Sequence, residues 1–240
     1  MTKLVYQSAT ELAKSIREKK LSSLEVLETF LAQIAKHNPE LNAIVTLDEE
    51  NARKRAVEAD AALAKGEIWG PLHGVPITIK DAFETEGLRT TSSFKPLENY
   101  IPEQDATVVA RLRRAGAIIL GKTNMPTLAL DIQSNSPIFG RTNNPWDITR
   151  TPGGSTGGGA ASIAAGFSSL EIGSDIGGSV RIPAHFCGIF ALKPTDHLVS
   201  LAGHIPEPPG SPQGVRHMGM PGPLARSVED LRLALSLIAG

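Results

Sequence analysis

The sequence has very little of several features that mark large classes of protein. A single cysteine, Cys187, occurs in 240 residues, which excludes an internal disulfide framework and a zinc site built from several cysteines. Charge of one sign is not in excess, because 24 Lys and Arg stand against 25 Asp and Glu. Without a basic surplus, general binding to nucleic acid is not expected. Cys187 itself is expected to be a buried packing residue.

Long apolar runs are also missing. A stretch such as Ala117–Leu120 is far shorter than the roughly 18 residues that a membrane span requires. The N-terminus shows no apolar segment of the signal-peptide type. We therefore expect no membrane association and a location in the reducing cytoplasm. The length favours one large domain or two small ones.

Two regions of the chain differ in pattern. Residues 1–66 carry helical signals, namely capping boxes that start at Ser8 and Ser22 and a later helix that Asp48 can cap. In residues 67–240, short apolar runs alternate with helical segments and glycines, which is typical of an α/β layer. We expect a single domain over 1–240, with a helical leader over 1–66 followed by a core segment over 67–240.

The same pattern predicts individual elements. Short strands are expected at Ala43–Leu47, Val75–Ile79, Ala117–Leu120 and Ser169–Ile172. Helices are expected at Ala106–Ala115, capped by Asp105, at Ala160–Ala165 and at Val228–Ala239. Residues 203–223 hold six prolines and five glycines, which predicts an irregular surface excursion.

Glycine and serine are concentrated in residues 151–180, which hold nine of the 23 glycines and six serines. A phosphate-binding loop is disfavoured, since no lysine follows these glycines as a Walker loop requires. Gly153–Gly157 fits the G-x-S-x-G pattern of an α/β-hydrolase elbow, but loop-like residues precede it where that fold needs a strand. Tight packing of a helix on a sheet would explain the composition without any activity.

A second serine in this window favours chemistry over packing alone. Ser179 follows two glycines, and successive backbone N–H groups of this kind form an anion-binding nest. If Ser179 is a nucleophile, its own amide and those of Ile176, Gly177 and Gly178 can face the oxyanion that its attack creates. The serine hydroxyl would still need a base.

The sequence offers two kinds of base. None of the histidines lies in a motif or at a metal-binding spacing, so each is expected at the surface or in packing, and no metal site is expected; they are His37, His73, His185, His197, His204 and His217. Lys80 ends a β-rich run, where burial would lower its pKa enough for it to accept a proton. The alternative for Lys80 is a surface lysine at a strand end.

Taken together, these segments resemble the amidase signature family. The resemblance lies in PGGSTGGGAASIAAG (152–166), SLEIGSDIGGSVRIPAHFCGIFALKPT (169–195), GVPITIKDAFETEGLRTT (74–91), DATVVARLRRAGAIILGKTNMP (105–126), NNPWDITRTPGG (143–154) and GPLARSVEDL (222–231). It covers most of the chain from residue 43 onward. Because several long motifs occur in the right order, it is highly specific.

The resemblance implies a Ser–cis-Ser–Lys triad. In this chain Lys80 would be the base, Ser155 the bridging serine after a cis peptide bond, and Ser179 the nucleophile. Asp175 and Arg181 match a structural charge pair of the family.

Ser174 stands where the family often has threonine, and it keeps the hydroxyl there. The resemblance further implies an α/β fold with a mixed central sheet flanked by helices, truncated here after its N-terminal half. The implied function is hydrolysis of a carboxamide C–N bond in a small-molecule amide, through an acyl-enzyme and without cofactor or metal. The sequence is compatible with a homo-oligomer and does not decide the oligomeric state.

Two alternatives remain. One is a glutamine amidotransferase subunit that frees ammonia for a tRNA-charging partner, although the proline-rich stretch over residues 197–220 resembles general amidases more. The other is a catalytically impaired fragment that keeps the motifs without a complete pocket.

Overall fold

The computed structural model describes residues 4–206 and 218–240. Its α-helices are α1 (Ala9–Arg17), α2 (Ser23–Leu41), α3 (Glu49–Ala64), α4 (Thr107–Arg114), α5 (Gly157–Ala164), α6 (Arg181–Cys187) and α7 (Val228–Ile238). Its strands are β1 (Ile44–Leu47), β2 (Pro76–Lys80), β3 (Ile118–Thr123), β4 (Asn135–Ser136), β5 (Gly140–Arg141), β6 (Leu170–Asp175), β7 (Phe190–Ala191) and β8 (Met220–Ala225). Short 3-10 turns lie at Leu4–Tyr6, Lys95–Leu97 and Thr127–Ala129.

Six strands form one mixed sheet in the order β1-β3-β2-β6-β8-β7. The central strands β3, β2 and β6 run parallel, while β1, β8 and β7 pair antiparallel. The expected α/β fold with a mixed sheet is thereby confirmed. Parallel strands bring their carboxyl ends to one edge of a sheet, and ligands bind beside such an edge. Lys80, Thr123 and Asp175 end the three central strands there.

The capping boxes predicted in the helical leader are confirmed. The Ser8 hydroxyl accepts the Glu11 N–H at 3.1 Å, and the Glu11 carboxylate accepts the Ser8 N–H at 2.9 Å. Ser22 and Glu25 repeat the arrangement at 3.0 and 2.7 Å. Each box satisfies backbone donors that a helix start would otherwise leave unpaired.

Two of the predicted helix caps are wrong. Helix α4 is preceded by Ala106 rather than Asp105. The Asp105 carboxylate instead accepts the Glu86 N–H at 2.8 Å and pairs with Arg113 at 2.9 Å. Asp48 does precede α3, but its side chain accepts from the Asn51 amide at 2.8 Å and not from the backbone.

The prediction of an irregular surface excursion over residues 203–223 is wrong at the C-terminal end of that segment. Residues 207–217 lie outside the described residues. Met220–Ala225 forms the buried strand β8, which lies between β6 and β7. The Pro223 carbonyl accepts the Leu192 N–H at 3.0 Å, so Pro223 and Pro221 direct their backbone polar groups away from β6. Since their missing N–H groups lie on that side, the ladder to β6 loses no donor.

Cys187 is fully buried in a small cluster with Ala160, Val180, Ala184 and Leu224. Burial raises the pKa of its thiol to about 12. The interpretation of Cys187 as a packing residue is confirmed, because such a thiol stays protonated and unreactive.

Helix α5 approaches the sheet so closely that glycine is required. The Gly158 N–H donates to the Asn124 carbonyl at 3.1 Å. A Cβ at Gly158 would lie 2.4 Å from the Asn124 nitrogen and 2.7 Å from the Ala43 oxygen, both of which belong to the backbone. The tight-packing interpretation of the glycine-rich window therefore holds for this helix.

We expect Gly158→Ala to destabilise the protein by about 1–3 kcal/mol, because the backbone atoms it meets cannot move aside cheaply. Ser162→Ala is the matched control, since Ser162 lies buried on the same helix with an unpaired hydroxyl whose removal should be neutral or slightly stabilising. Urea unfolding of the two variants measures the difference. Equal stabilities would contradict the close approach.

Candidate active site

The side chain of Lys80 is completely buried at the carboxyl end of β2. Its Nζ lies 2.7 Å from the Ser155 Oγ and 3.0 Å from the Ser174 Oγ. The Gly154–Ser155 peptide bond is cis, as the resemblance implies. The structure thus brings together three residues that lie 19 to 94 positions apart in the chain.

Burial is also the main influence on the protonation of Lys80. It lowers the pKa of the ammonium to about 7, although the carboxylates of Glu171 and Asp175 act in the opposite direction. Burial likewise raises the pKa of Glu171 to about 7, although the Thr123 hydroxyl donates to its carboxylate at 2.7 Å and acts in the opposite direction. A lysine in this setting can be neutral near pH 7 and can then accept a proton.

The turn that carries Ser155 is fixed from two directions. The Ser134 hydroxyl accepts the Gly157 N–H at 2.9 Å and donates to the Gly153 carbonyl at 3.1 Å. The Thr156 N–H donates to the Ser179 carbonyl at 3.1 Å. This last bond ties the turn to the loop that carries the second serine.

Ser155, Ser174 and Ser179 lie on the wall of one cavity of about 260 Å³. The other described residues of the wall are Leu128, Ala129, Leu130, Ile176, Leu201, His204, Pro206 and Gly219. Among the described residues, no hydrogen bond joins the Ser179 hydroxyl to Ser155. Such contacts are often long in unliganded enzymes and tighten when substrate binds.

The loop after β6 is organised by the buried carboxylate of Asp175. Its oxygens accept the N–H groups of Gly178 at 2.8 Å, Val180 at 3.1 Å and Arg181 at 3.3 Å. Burial alone would raise the pKa of Asp175, but these bonds and the Arg181 guanidinium outweigh it and hold the pKa below its ordinary value. Asp175 therefore acts as an anchor for the loop.

The same hydrogen bonds also involve one of the amides expected in the oxyanion hole. The N–H of Gly178 donates to the Asp175 carboxylate at 2.8 Å, so in this structure it is already engaged. The amides of Ile176, Gly177 and Ser179 remain as candidates.

Asp175 and Arg181 form the ion pair that the resemblance implies. The guanidinium binds both carboxylate oxygens, with Nη2 to Oδ1 at 2.9 Å and Nε to Oδ2 at 3.0 Å. The Asp175 side chain is fully buried, whereas that of Arg181 is 55% exposed. The pair closes the loop from the solvent side.

His204 is a site residue that sequence reasoning missed. It was expected at the surface or in packing, yet its Nε2 lies 2.8 Å from the Ser174 Oγ, and the ring lines the cavity. Burial, together with the charge of Lys80, lowers the pKa of His204 to about 3. Residues 203–206 read Gly-His-Ile-Pro, which contains no signal that links this histidine to a serine 30 positions earlier.

Lys122 is a second buried lysine that sequence reasoning did not single out. Its ammonium donates to the hydroxyls of Thr85 at 2.8 Å and Thr90 at 3.0 Å, and also to the Phe83 carbonyl. Burial lowers its pKa to about 8, with Asp81 acting in the opposite direction. Lys122 does not line the cavity, and its three acceptors give it a structural role.

Among the described residues His73 is also buried, and it has a packing role. Its ring bonds the Ala59 carbonyl and the Trp69 N–H, each at 3.1 Å. Across residues 4–206 and 218–240, no group of three or more His, Cys, Asp or Glu side chains is placed to hold a metal ion. Within the same residues, no helix is both long and apolar enough to cross a membrane.

Comparison with known proteins gives a consistent result. The family model described as Amidase matches residues 25–240. Two curated relatives are similar over nearly the whole chain, and the name of each describes it as one of the subunits of glutamyl-tRNA(Gln) amidotransferase. The one from Carboxydothermus hydrogenoformans is 47% identical over 99% of this chain, and the one from a Marinomonas species is 43% identical over 98%.

Solved structures extend the comparison to the fold. The peptide amidase from Stenotrophomonas maltophilia superimposes with a TM-score of 0.89 at 35% identity, over 98% of this chain and 48% of its own. A fatty acid amide hydrolase superimposes with a TM-score of 0.91 at 32% identity, over 97% of this chain and 40% of its own. The chain spans about half the length of the curated relatives, namely 47% and 46% of the two named above.

We expect Asp175→Asn to cost about 3 kcal/mol of stability, because it weakens a buried anchor and leaves Arg181 without its counter-charge. Asp147→Asn is the control, since Asp147 makes similar bonds to Arg150 and Thr149 but its side chain is 43% exposed. That exposed pair should contribute less than about 1 kcal/mol. Thermal unfolding compares them, and equal losses would show that Asp175 is not an anchor.

Proposed function

The chain belongs to the amidase signature family, and from this premise we propose that it hydrolyses a carboxamide C–N bond through a serine acyl-enzyme. One observation carries the proposal: the buried Lys80 Nζ lies 2.7 Å from the Ser155 Oγ, beside a cavity whose wall also holds Ser179. A buried amine, a hydroxyl in contact with it and a second hydroxyl on the same cavity are the parts of a Ser–Lys triad.

In this reaction neutral Lys80 accepts the proton of Ser155 as Ser155 takes the proton of Ser179. The Ser179 oxygen attacks the amide carbonyl, and the amides of Ile176, Gly177 and Ser179 stabilise the oxyanion. The relay then returns the proton to the leaving nitrogen, so that the C–N bond breaks and an ester to Ser179 remains. Water, deprotonated by the same relay, cleaves the ester and releases the acid.

The cavity favours an apolar group next to the reacting carbonyl. The part of its wall that the structure describes carries aliphatic side chains such as Leu128, Leu130 and Leu201, together with hydroxyls and a neutral imidazole. No charged side chain belongs to that described part. We therefore propose small-molecule amides with an apolar acyl group as the substrate class. Separately, we propose the cytoplasm as the place of reaction.

A second candidate is release of ammonia from glutamine, as one component of an amidotransferase. It is favoured by the name that relatives 47% and 43% identical to this chain carry. Glutamine has an α-ammonium and an α-carboxylate, and both need charged or polar partners when they leave water. Competition between L-glutamine and an apolar primary amide for the site distinguishes the two substrates.

The third candidate, a catalytically impaired fragment, rests on the chain spanning 47% of its relative's length. The proposed triad lies wholly within the described residues, which favours a chain that can at least form the acyl-enzyme. A probe that acylates or phosphonylates an activated serine distinguishes an impaired fragment from a chain that forms the acyl-enzyme. This test needs no known substrate.

We expect a fluorophosphonate to label Ser179, because the probe captures a serine that a base has activated. Ser179→Ala should abolish the labelling, as measured by intact-protein mass spectrometry and peptide mapping. Ser236→Ala, which removes an exposed hydroxyl on α7, is the control and should be labelled like the wild type. Labelling at Ser155 would reverse the two serine roles, and no labelling at all would favour the impaired fragment.

The labelling rate should rise with pH through about 7, because burial lowers the pKa of Lys80 to about 7 and only the neutral amine accepts a proton. Lys80→Met removes the base and should slow labelling by about 100-fold or more. Lys80→Arg should be nearly as slow, since arginine stays charged. Lys95→Met changes an exposed lysine and serves as the control. A Lys80→Arg variant with the wild-type rate would exclude Lys80 as the base.

A further inference from the structure

Four polar groups form a continuous buried line that ends at His204. The Ser155 Oγ lies 2.7 Å from the Lys80 Nζ, which lies 3.0 Å from the Ser174 Oγ, which lies 2.8 Å from the His204 Nε2. The proposed reaction uses the first two groups and leaves the last two without a task. An inference about them rests on the proposed function, because it concerns how Lys80 is prepared to accept a proton.

The direction of each hydrogen bond in this line follows from what His204 can do. A neutral imidazole has one N–H donor and one acceptor nitrogen. Its Nε2 lies 2.8 Å from the Ser174 Oγ, so the ring either accepts the Ser174 hydroxyl proton or donates its own proton to the Ser174 oxygen. In the second case the Ser174 hydroxyl proton would be free to occupy the lone pair of Lys80, which the proposed reaction needs for Ser155. We therefore place the ring proton on Nδ1, which leaves Nε2 to accept the Ser174 hydroxyl proton.

Once the Ser174 proton is committed to His204, the Ser174 oxygen can only accept from Lys80. A neutral amine has two N–H groups and one lone pair. Two acceptors of Ser174 face the amine, the hydroxyl oxygen at 3.0 Å and the carbonyl oxygen at 3.5 Å. With both N–H groups directed there, the lone pair points to the Ser155 hydroxyl at 2.7 Å.

We propose that His204 is a positioning residue, which holds the Ser174 hydroxyl proton away from Lys80 so that the amine's lone pair faces Ser155. His204 does not itself take the substrate's proton, because its acceptor nitrogen is occupied by Ser174. Without His204, the Ser174 hydroxyl can turn and donate to the lone pair of Lys80. That contact would stabilise the neutral amine and compete with Ser155 for it.

The charged and titratable surroundings are few. Glu171 and Asp175, both on β6, are the carboxylates that act on Lys80. Lys80 is in turn the charged group that acts on His204. The ring also packs edge-to-face on Phe83, with centroids 4.9 Å apart, so a purely structural role for His204 has to be separated by experiment.

Two variants make that separation. His204→Leu keeps an apolar side chain against Phe83 and removes the acceptor, whereas His204→Gln restores an acceptor oxygen. With lysine labelled at ¹³Cε, NMR follows the titration of Lys80, whose signal is identified by its loss in Lys80→Met. In His204→Leu we expect the Lys80 titration to move to lower pH and fluorophosphonate labelling at high pH to slow about tenfold. His204→Gln should recover most of both.

Ser174→Ala supplies the second control. In that background the hydroxyl that His204 orients is gone, so adding His204→Leu should change neither the Lys80 titration nor the labelling rate further. In the unsubstituted protein, ¹⁵N shifts of His204 should report a neutral ring protonated at Nδ1.

Three results would overturn the proposal. They are a ring protonated at Nε2, an unchanged Lys80 titration in His204→Leu, and equal losses in the Leu and Gln variants, which would leave only packing. If His204→Leu does not fold, the tautomer of the wild type and the titration of His204→Gln decide. Absence of labelling in the wild type would count against the proposed hydrolysis, whereas the two NMR measurements judge His204 independently of it.

Discussion

Burying the amine of Lys80 at the carboxyl edge of the sheet costs free energy, and the surrounding structure is arranged to offset that cost. Removing an ammonium from water costs several kcal/mol even in a relaxed protein, on the order of the stability of a whole domain. Two serine hydroxyls lie within hydrogen-bond distance of the amine, and two carboxylates on β6 act on it from behind. The turn before α5 carries Ser155, whereas Ser174 and both carboxylates belong to β6.

The glycines of α5 serve this arrangement through packing. A Cβ at Gly158 would collide with the backbone of Asn124, and one at Gly159 would lie 2.6 Å from the Glu171 side chain. Because these glycines lack a Cβ, α5 packs close to the sheet and the preceding turn places Ser155 there. The same lack of side chains leaves room for the Glu171 carboxylate. Packing and chemistry are therefore not competing explanations of the glycine-rich window, since the close approach is what places the serine beside the amine.

Much of this could be predicted from the sequence where the signal is local. Short stretches of the chain are enough to predict the strands around Lys80, the capping boxes and the order of the motifs. His204 could not be predicted in this way, because its partner Ser174 lies 30 positions away and the contact depends on how the chain returns over the sheet edge.

The strand β8 could not be predicted either, because its prolines were interpreted without knowledge of the neighbouring strands. Pro221 and Pro223 favour an irregular segment by propensity, but the side of the strand on which their missing donors lie is known only from its neighbours. The orientation of the Gly178 amide likewise depends on a neighbour that the local sequence does not identify. Its position in a nest is evident from the glycines, yet its orientation is decided by the carboxylate of Asp175.

The electrostatics of the edge support the proposal that Lys80 acts as a base. A proton acceptor must be neutral before the reaction and still basic enough to hold the proton during it. Burial alone would leave Lys80 neutral but too weak a base, whereas Glu171 and Asp175 alone would keep it charged. Acting together, they place the pKa of Lys80 at about 7, where the two requirements meet. Glu171 is subject to the same burial, which raises its pKa to about 7, so the carboxyl group and the amine titrate in the same range. Because the two groups lie on the paired strands β2 and β6, a charge on either one influences the protonation of the other.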